Sequence, residues 1–330
     1  MTTFTLNTGA KIPAVGFGTW KAAPGEAAAA VKTAFEVGYR HFNMSVPVSN
    51  PTRNTDGNEP EIGEVFKSTK VPRSEYFVTT KLFVFTSILG QIYPEYLTRN
   101  DRWSSDHRRV ESALDKSLQD LGLSYVDLYL MHWPVTLDPS NSVEYGKENR
   151  KVHAAGWDFN DTWREMEKLL ETGKVRAIGV ANFSTVNLEK LLKTAKVVPA
   201  VNQTEIQPLL PQNKLNAYCR EKGIHQTAFG PLGGSGSTLH SHPVIVDIAT
   251  KRGCDTGNVM LSWGIQKGWS VIPKSTNPKR IQANLRGNVE LTSEEMGKMD
   301  ALALPKGKRF NRPDWGTVIF HDDAEVDLEE

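Results

Sequence analysis

Cysteine is nearly missing from this chain: two residues, Cys219 and Cys254, in 330. They cannot build a disulfide framework and lack the spacing of a zinc knuckle, so they fit buried packing in a reducing compartment. Long apolar runs are also missing, and no segment is long enough to span a bilayer. The opening MTTFTLNTGAKIP carries no apolar core of a secretory signal. Nor is there a surplus of charge. Lys and Arg number 39 against 38 Asp and Glu, a formal net charge of +1, which gives no electrostatic case for nucleic acid or an anionic membrane. No Gly-x-Gly-x-x-Gly follows an early strand, so dinucleotide binding on a doubly wound sheet is unsupported. These absences leave a soluble cytoplasmic protein, monomer or homodimer, whose partners are small molecules.

What is present is a repeated alternation. At 39% hydrophobic and 23% charged, the chain is long enough for a substantial core. Phe4–Leu6 and Lys11–Pro13 flank Asn7-Thr8-Gly9 as a hairpin. Strand patterns then fall at Ala14–Thr19, His41–Val46, Glu75–Leu82, Val126–Trp133, Val175–Asn182, Pro199–Ile206, Ile224–Gly230 and Trp269–Lys274. Helical patterns lie between them: Pro24–Val37, Glu59–Lys67, Asp106–Leu121, Asp161–Thr172, Asn187–Ala195, Lys214–Lys222 and Pro243–Arg252. Strands rich in Val, Ile, Leu and Tyr, separated by helices, argue for a parallel sheet covered on both faces. Eight such units close a (β/α)₈ TIM barrel in the α/β class, with a short N-terminal β-hairpin and long loops on the C-terminal face. No linker or repeat divides the chain, so residues 1–330 form one domain.

In such a barrel the chemistry sits at the C-terminal ends of the strands. Lys81 ends the third strand, where it either opens a solvated loop or serves a site. His132 ends the fourth in Leu130-Met131-His132-Trp133-Pro134, and is a candidate proton-transfer residue or a core histidine. Asn182 and Gln203 end later strands, and their amides suit loop caps or an amide-bearing ligand. Lys274 and Ser275, with Arg280 beside a helix start, form a cationic and hydroxyl cluster suited to a phosphate, or an ordinary charged turn.

Six runs stand out: Gly16-Phe17-Gly18-Thr19-Trp20, Gly38-Tyr39-Arg40-His41, Asp127 to Pro134, Gly173 to Phe183, Val271 to Ser275, and Lys308-Arg309-Phe310-Asn311. Through them the chain resembles the aldo-keto reductases over nearly its whole length, most closely the xylose-reductase-like group. The resemblance implies hydride transfer from NADP(H), with a Tyr general acid, a Lys, an Asp and a His. Lys81 and His132 fill the Lys and His positions, and the Asp position falls on Asn43. The Tyr position falls on Val48 counted from the strand, or on Asp56 counted back from Gly57-Asn58-Glu59. No Tyr occurs between Tyr39 and Tyr76. Without a carboxylate beside it, a buried Lys81 is expected to titrate low. His132, of near-neutral ordinary pKa, is the expected substitute donor.

For the cofactor, the resemblance places Asn182 and Gln203 on the nicotinamide carboxamide and Phe229 against the ring, with Gly230 and Leu232 following. Lys274, Ser275 and Arg280 would take the 2′-phosphate, and Asn284 the adenine. Gly230 replaces the usual Ser, and Ala283 the usual Glu. Trp20, Val48, Trp133 and Trp315 would line the substrate. The segments 44–56 and 83–105 are longer than the family usually carries, as a lid or a plain surface insertion, and 305–330 forms a C-terminal loop and tail. The expected reaction is reduction of a bulky, apolar conjugated carbonyl, enone or imine in a biosynthetic setting. A redox-neutral isomerase, dehydratase or cyclase using His132 and Lys81, or a non-catalytic NADP-binding relative, stands as the alternative.

Overall fold

The alternation seen in the sequence closes into a ring of strands. The computed structural model describes residues 2–20, 22–23, 25–44, 58–82, 109–135, 157–234, 236–305, 307–313 and 317–322. An antiparallel hairpin, β1 (Thr3–Thr5) and β2 (Lys11–Pro13), comes first. Then follow β3 (Phe17–Gly18), β4 (His41–Asn43), β5 (Phe77–Leu82), β6 (Leu128–Met131), β7 (Ile178–Ala181), β8 (Val201–Glu205), β9 (His225–Phe229) and β10 (Ser270–Ile272). Each pairs in parallel with the next. The first and last meet where Gly16 N donates to Val271 O at 2.8 Å and Val271 N donates to Ala14 O at 2.8 Å. The result is a (β/α)₈ barrel, as the strand count predicts.

Ten helices longer than one turn cover the barrel among the described residues. They are α1 (Glu26–Val37), α2 (Glu59–Ser68), α3 (Val110–Leu121), α4 (Phe159–Leu169), α5 (Thr185–Leu192), α6 (Asn213–Glu221), α7 (Pro243–Arg252), α8 (Thr256–Gln266), α9 (Pro278–Arg286) and α10 (Ser293–Asp300). The larger apolar cluster lies between strands and helices and includes Phe42, Val78, Tyr129, Trp163 and Trp263. A smaller one fills the barrel: Leu6, Ile12, Phe77, Leu128, Leu130 and Val201. Strand alternation explains the split, because successive side chains face opposite ways. Phe77 enters the inner cluster and Val78 the outer. The hairpin closes the N-terminal end: the Phe4 and His225 rings are 5.1 Å apart, and Asn7 Nδ2 donates to Pro199 O at 3.1 Å.

One close approach positions the site. A Cβ at Gly63 would lie 2.1 Å from Asp120 O, so α2 seats against α3 only because residue 63 has no side chain.

Strand lengths differ from the sequence pattern. The run expected from Glu75 begins its ladder at Phe77, after a 3₁₀ turn over Arg73–Glu75, and the run at Val126–Trp133 pairs as Leu128–Met131. Tyr76 and Trp133 are buried flanks outside the ladder, and Val126 keeps an isolated parallel bridge to Val175. Three helices escape the periodic pattern. α8 is buried along most of its length and so shows no polar face. α9 follows the phosphate-type cluster, where only its start was expected. α10 opens with a capping box in which Thr292 and Glu295 satisfy each other's backbone N–H. Pro24, residues 45–56 and residues 83–105 lie outside the described residues, as does part of the tail.

Candidate active site

Alternation along β4 and β5 turns Asn43 and Lys81 into the barrel, and the strand register brings them together. Lys81 Nζ donates to Asn43 Oδ1 at 3.0 Å and to Met44 O at 2.7 Å. From the opposite wall, Gln203 Nε2 on β8 donates to the same Asn43 Oδ1 at 2.8 Å. Asn43, Lys81 and Gln203 are all buried. One neutral carbonyl oxygen therefore gathers the ammonium and the amide at the mouth of the barrel.

Burial decides how these groups titrate. Desolvation lowers Lys81 to about 7, against a weaker opposing pull from the Glu59 carboxylate. That is the shift expected of a lysine beside Asn rather than Asp. His132 follows β6, and burial, then the Lys81 charge, hold its imidazolium well below the ordinary histidine range. The near-neutral value expected for His132 is thus not what the fold provides. At neutral pH it is an uncharged imidazole, able to donate an N–H but holding no spare proton. Lys81 is the group poised near neutrality.

The start of α2 is tied to both β4 and β5. Thr19 N and Thr19 Oγ1 donate to Asn43 O, each at 3.3 Å, and Asn58 Nδ2 donates to Thr19 O at 3.0 Å. Next to it, Glu59 is buried, and its Oε1 accepts from Thr80 Oγ1 at 2.6 Å. The sequence reading passed over Glu59 and Thr80. A Glu at a helix start is ordinarily a solvated partner of the dipole, and only its place beside Asn58 in a matched segment marks it out.

On the far side of the mouth, Asn182 adopts a left-handed backbone at φ 62° and donates from Nδ2 to His132 O at 3.0 Å. Its Oδ1 is buried with no hydrogen-bond partner among the described residues. A buried acceptor left unmatched is costly, and a carboxamide N–H₂ would satisfy it. The nicotinamide carboxamide fits this position. Phe229 ends β9, and Gly230 takes φ 59°, a left-handed conformation that side-chain-bearing residues adopt only with strain. Leu232 packs on the outer core.

A second cluster forms where β10 runs into α9. Ser275 Oγ accepts from Asn277 N at 3.1 Å and from Arg280 Nε at 3.4 Å. Asn277 caps α9, its Oδ1 accepting from Arg280 N at 3.1 Å. Partial burial and the neighbouring Arg280 cation lower Lys274, while Glu26 raises it. Two neighbouring cations at a helix start have the chemistry that suits a dianion. Asn284 is buried one turn later on α9. The structure therefore brings the predicted residues together in two groups rather than one.

Trp20 is 39% exposed at the mouth, whereas Trp133 is buried with its ring 5.8 Å from His132 and 6.1 Å from Phe320. Val48 and Trp315, expected to line the substrate, lie outside the described residues. The tail crosses the mouth because Glu205, at the end of β8, accepts from Phe310 N and Asn311 N, each at 2.8 Å. Arg309 stacks 3.7 Å over the Phe320 ring. Sequence reading missed Glu205, although Lys308 to Asn311 was marked as a matched run.

Among the described residues, no helix is long and apolar enough to cross a membrane. Residues 14–304 match the aldo/keto reductase family. The chain is 42% identical over 321 residues to the glycerol 2-dehydrogenase (NADP(+)) of Saccharomyces cerevisiae, covering 94% of each. It is 40% identical over 326 residues to the D-galacturonate reductase of Hypocrea jecorina, covering 96% of each. Among solved structures it is similar to the aldose reductase of Schistosoma japonicum, with a TM-score of 0.79, 32% identity and 94% of each chain covered. On this match, with the barrel and the polar cluster at its C-terminal mouth, the chain belongs to the aldo/keto reductase family.

Proposed function

We propose that this protein is an NADP(H)-dependent reductase in which Lys81, in place of a tyrosine, delivers the proton. One observation carries the reading. The Lys81 amine is fixed between Asn43 Oδ1 and Met44 O at the mouth of the barrel, and it is brought to about 7. Asn43 stands where the family resemblance puts Asp, and Tyr is absent between Tyr39 and Tyr76.

The residues that would hold the cofactor are Asn182 and Gln203 at the carboxamide, Phe229, Gly230 and Leu232 at the ring and bridge, Lys274, Ser275 and Arg280 at the 2′-phosphate, and Asn284 at the adenine. The cofactor, when bound, supplies a hydride to the substrate carbon. The chain supplies everything else. An ammonium has three N–H groups, and Asn43 and Met44 engage two. Among the described residues no other group engages the third, which would serve the substrate oxygen. His132, uncharged, donates an N–H that orients the same oxygen. As negative charge grows on that oxygen, the Lys81 N–H bond breaks and an O–H bond forms, leaving a neutral amine that solvent reprotonates. In the oxidative direction the amine accepts the proton.

A lysine acid suits a substrate that shares its developing charge. A conjugated carbonyl, enone or iminium demands less of the donor than an isolated carbonyl, where losing a positioned acid costs about 10²–10⁴-fold. Trp20, Trp133 and Phe320 supply the aromatic surface for a bulky, apolar substrate. Glycerol and D-galacturonate, in the names of two relatives, define the polar class to test against it.

The test joins binding to turnover. NADPH should quench the intrinsic tryptophan fluorescence with micromolar affinity and NADH far more weakly. Conjugated substrates should be reduced faster than polyhydroxylated ones. Absence of NADPH binding at high micromolar concentration would refute the proposal, and faster turnover of the polar class would refute its substrate half.

A further inference from the structure

We propose that Glu59 is the positioning residue for Lys81. Its carboxylate, set behind the barrel wall on the first turn of α2, is the counter-charge that holds the ammonium on Asn43 and Met44. This deepens the reading of Lys81 as the proton donor and rests on it. Asn43 carries no charge, so the anion expected beside a buried lysine has to come from elsewhere. Among the described residues, the carboxylate whose field favours the Lys81 ammonium is that of Glu59.

The geometry is a clamp on two strands. Glu59 Oε1 accepts from Thr80 Oγ1 at 2.6 Å, and Thr80 is the chain neighbour of Lys81 on β5. Asn58, beside Glu59, donates to Thr19 O at 3.0 Å, and Thr19 in turn holds Asn43 O on β4. The start of α2 therefore grips both Thr80, the strand neighbour of the residue that donates to Asn43 Oδ1, and the strand that carries this acceptor. Gly63, one turn on, lets α2 press onto α3 closely enough to keep Glu59 buried.

Burial pushes the Glu59 carboxyl up, and hydrogen bonds from Thr80 and Ser117 pull it back. Lys116 and Asp120 on α3 act on it with opposite signs. The Tyr129 hydroxyl on β6 lies within its field and is buried with no partner among the described residues. Facing Lys81 are His132 from β6, His41 from β4, and the neutral amides of Asn43 and Gln203. The two histidines are both held uncharged at neutral pH by burial. Among the described residues, Glu59 is thus the one carboxyl group whose charge raises the Lys81 amine. Such a charge, acting across a low-dielectric wall, stabilises an ammonium far more than it would in water.

The test reads Lys81 directly. Isotope-labelled lysine side chains are followed by NMR against pH in the full chain, with the Lys81 signal assigned by its loss in Lys81→Arg. The wild-type amine should titrate near neutrality. Glu59→Gln should move its midpoint down by about one pH unit or more, and Glu59→Asp should recover part of the shift. Thr80→Val leaves the acid in place but removes its hydrogen bond, so it should move the midpoint in the same direction by less. If Glu59→Gln does not fold, Thr80→Val decides. An unchanged midpoint in a folded Glu59→Gln protein, or in Thr80→Val where that variant decides, overturns the inference and leaves Lys81 as donor standing. A wild-type midpoint in the ordinary lysine range overturns the donor reading itself.

Discussion

Lys81 Nζ and Asn43 Oδ1 stand 3.0 Å apart, joined by a hydrogen bond in which the acceptor carries no charge. An aspartate at this position would pair an anion with the buried ammonium and raise its pKa by about 1–3 units. Asn43→Asp should therefore shift the alkaline limb of the rate profile upward. The protonated lysine, the donor in reduction, would persist to higher pH. A pH series of kcat for wild type and Asn43→Asp checks this, and coincident profiles would count against an acid role for Lys81.

Restoring the phenol tests the place of the missing acid. In the double variant Asn43→Asp with Val48→Tyr, reduction of simple aldehydes should rise, by as much as 10²–10⁴-fold, roughly, if the ring reaches the substrate oxygen. Val48 lies outside the described residues, so this is a test of sequence register. An unchanged rate would mean that Val48 is not that register position.

Arg280 is expected to separate the two nicotinamide cofactors. It shares Ser275 Oγ with the α9 turn and adds its charge to Lys274. Arg280→Met should weaken NADPH binding by tenfold or more, about 1.4 kcal/mol, while leaving NADH binding unchanged. Equal loss for both cofactors, measured by fluorescence titration, would remove the cluster from the 2′-phosphate.

Acid should destabilise the fold through a buried histidine at the closed end of the barrel. His41 accepts or donates at Thr79 Oγ1 over 3.3 Å, and desolvation lowers its pKa from 6.5 to about 3. The folded value lies below the unfolded one, so the unfolded chain binds the proton first. Stability is fully present above the ordinary value of 6.5 and is lost as pH falls from there toward about 3. The slope is up to about 1.4 kcal/mol per pH unit. Urea unfolding midpoints measured between neutral pH and about pH 5 should fall in wild type and fall less steeply in His41→Asn.

The barrel was legible because eight apolar strand runs, regularly spaced by helices, leave little topological choice. Lys81, His132, Asn182 and Gln203 were legible because strand ends on the C-terminal face are where such folds expose polar groups. The surroundings of Lys81 and His132 were not. Glu59 reads in sequence as an ordinary acidic helix start, and only the assembled fold shows it buried and accepting from Thr80, the neighbour of Lys81. His132 carries a near-neutral ordinary pKa in any sequence, and the environment that suppresses it, deep burial beside an ammonium, exists only once β5 and β6 are paired.

Transfer of deuterium from C4 of labelled NADPH to a conjugated carbonyl substrate tests the central claim most directly. The prediction is that the label reaches the substrate carbon in step with NADPH oxidation, and that Lys81→Met abolishes transfer while the protein still binds NADPH. Product formed without label and without NADPH consumption would contradict it, and would show that this barrel performs redox-neutral chemistry instead.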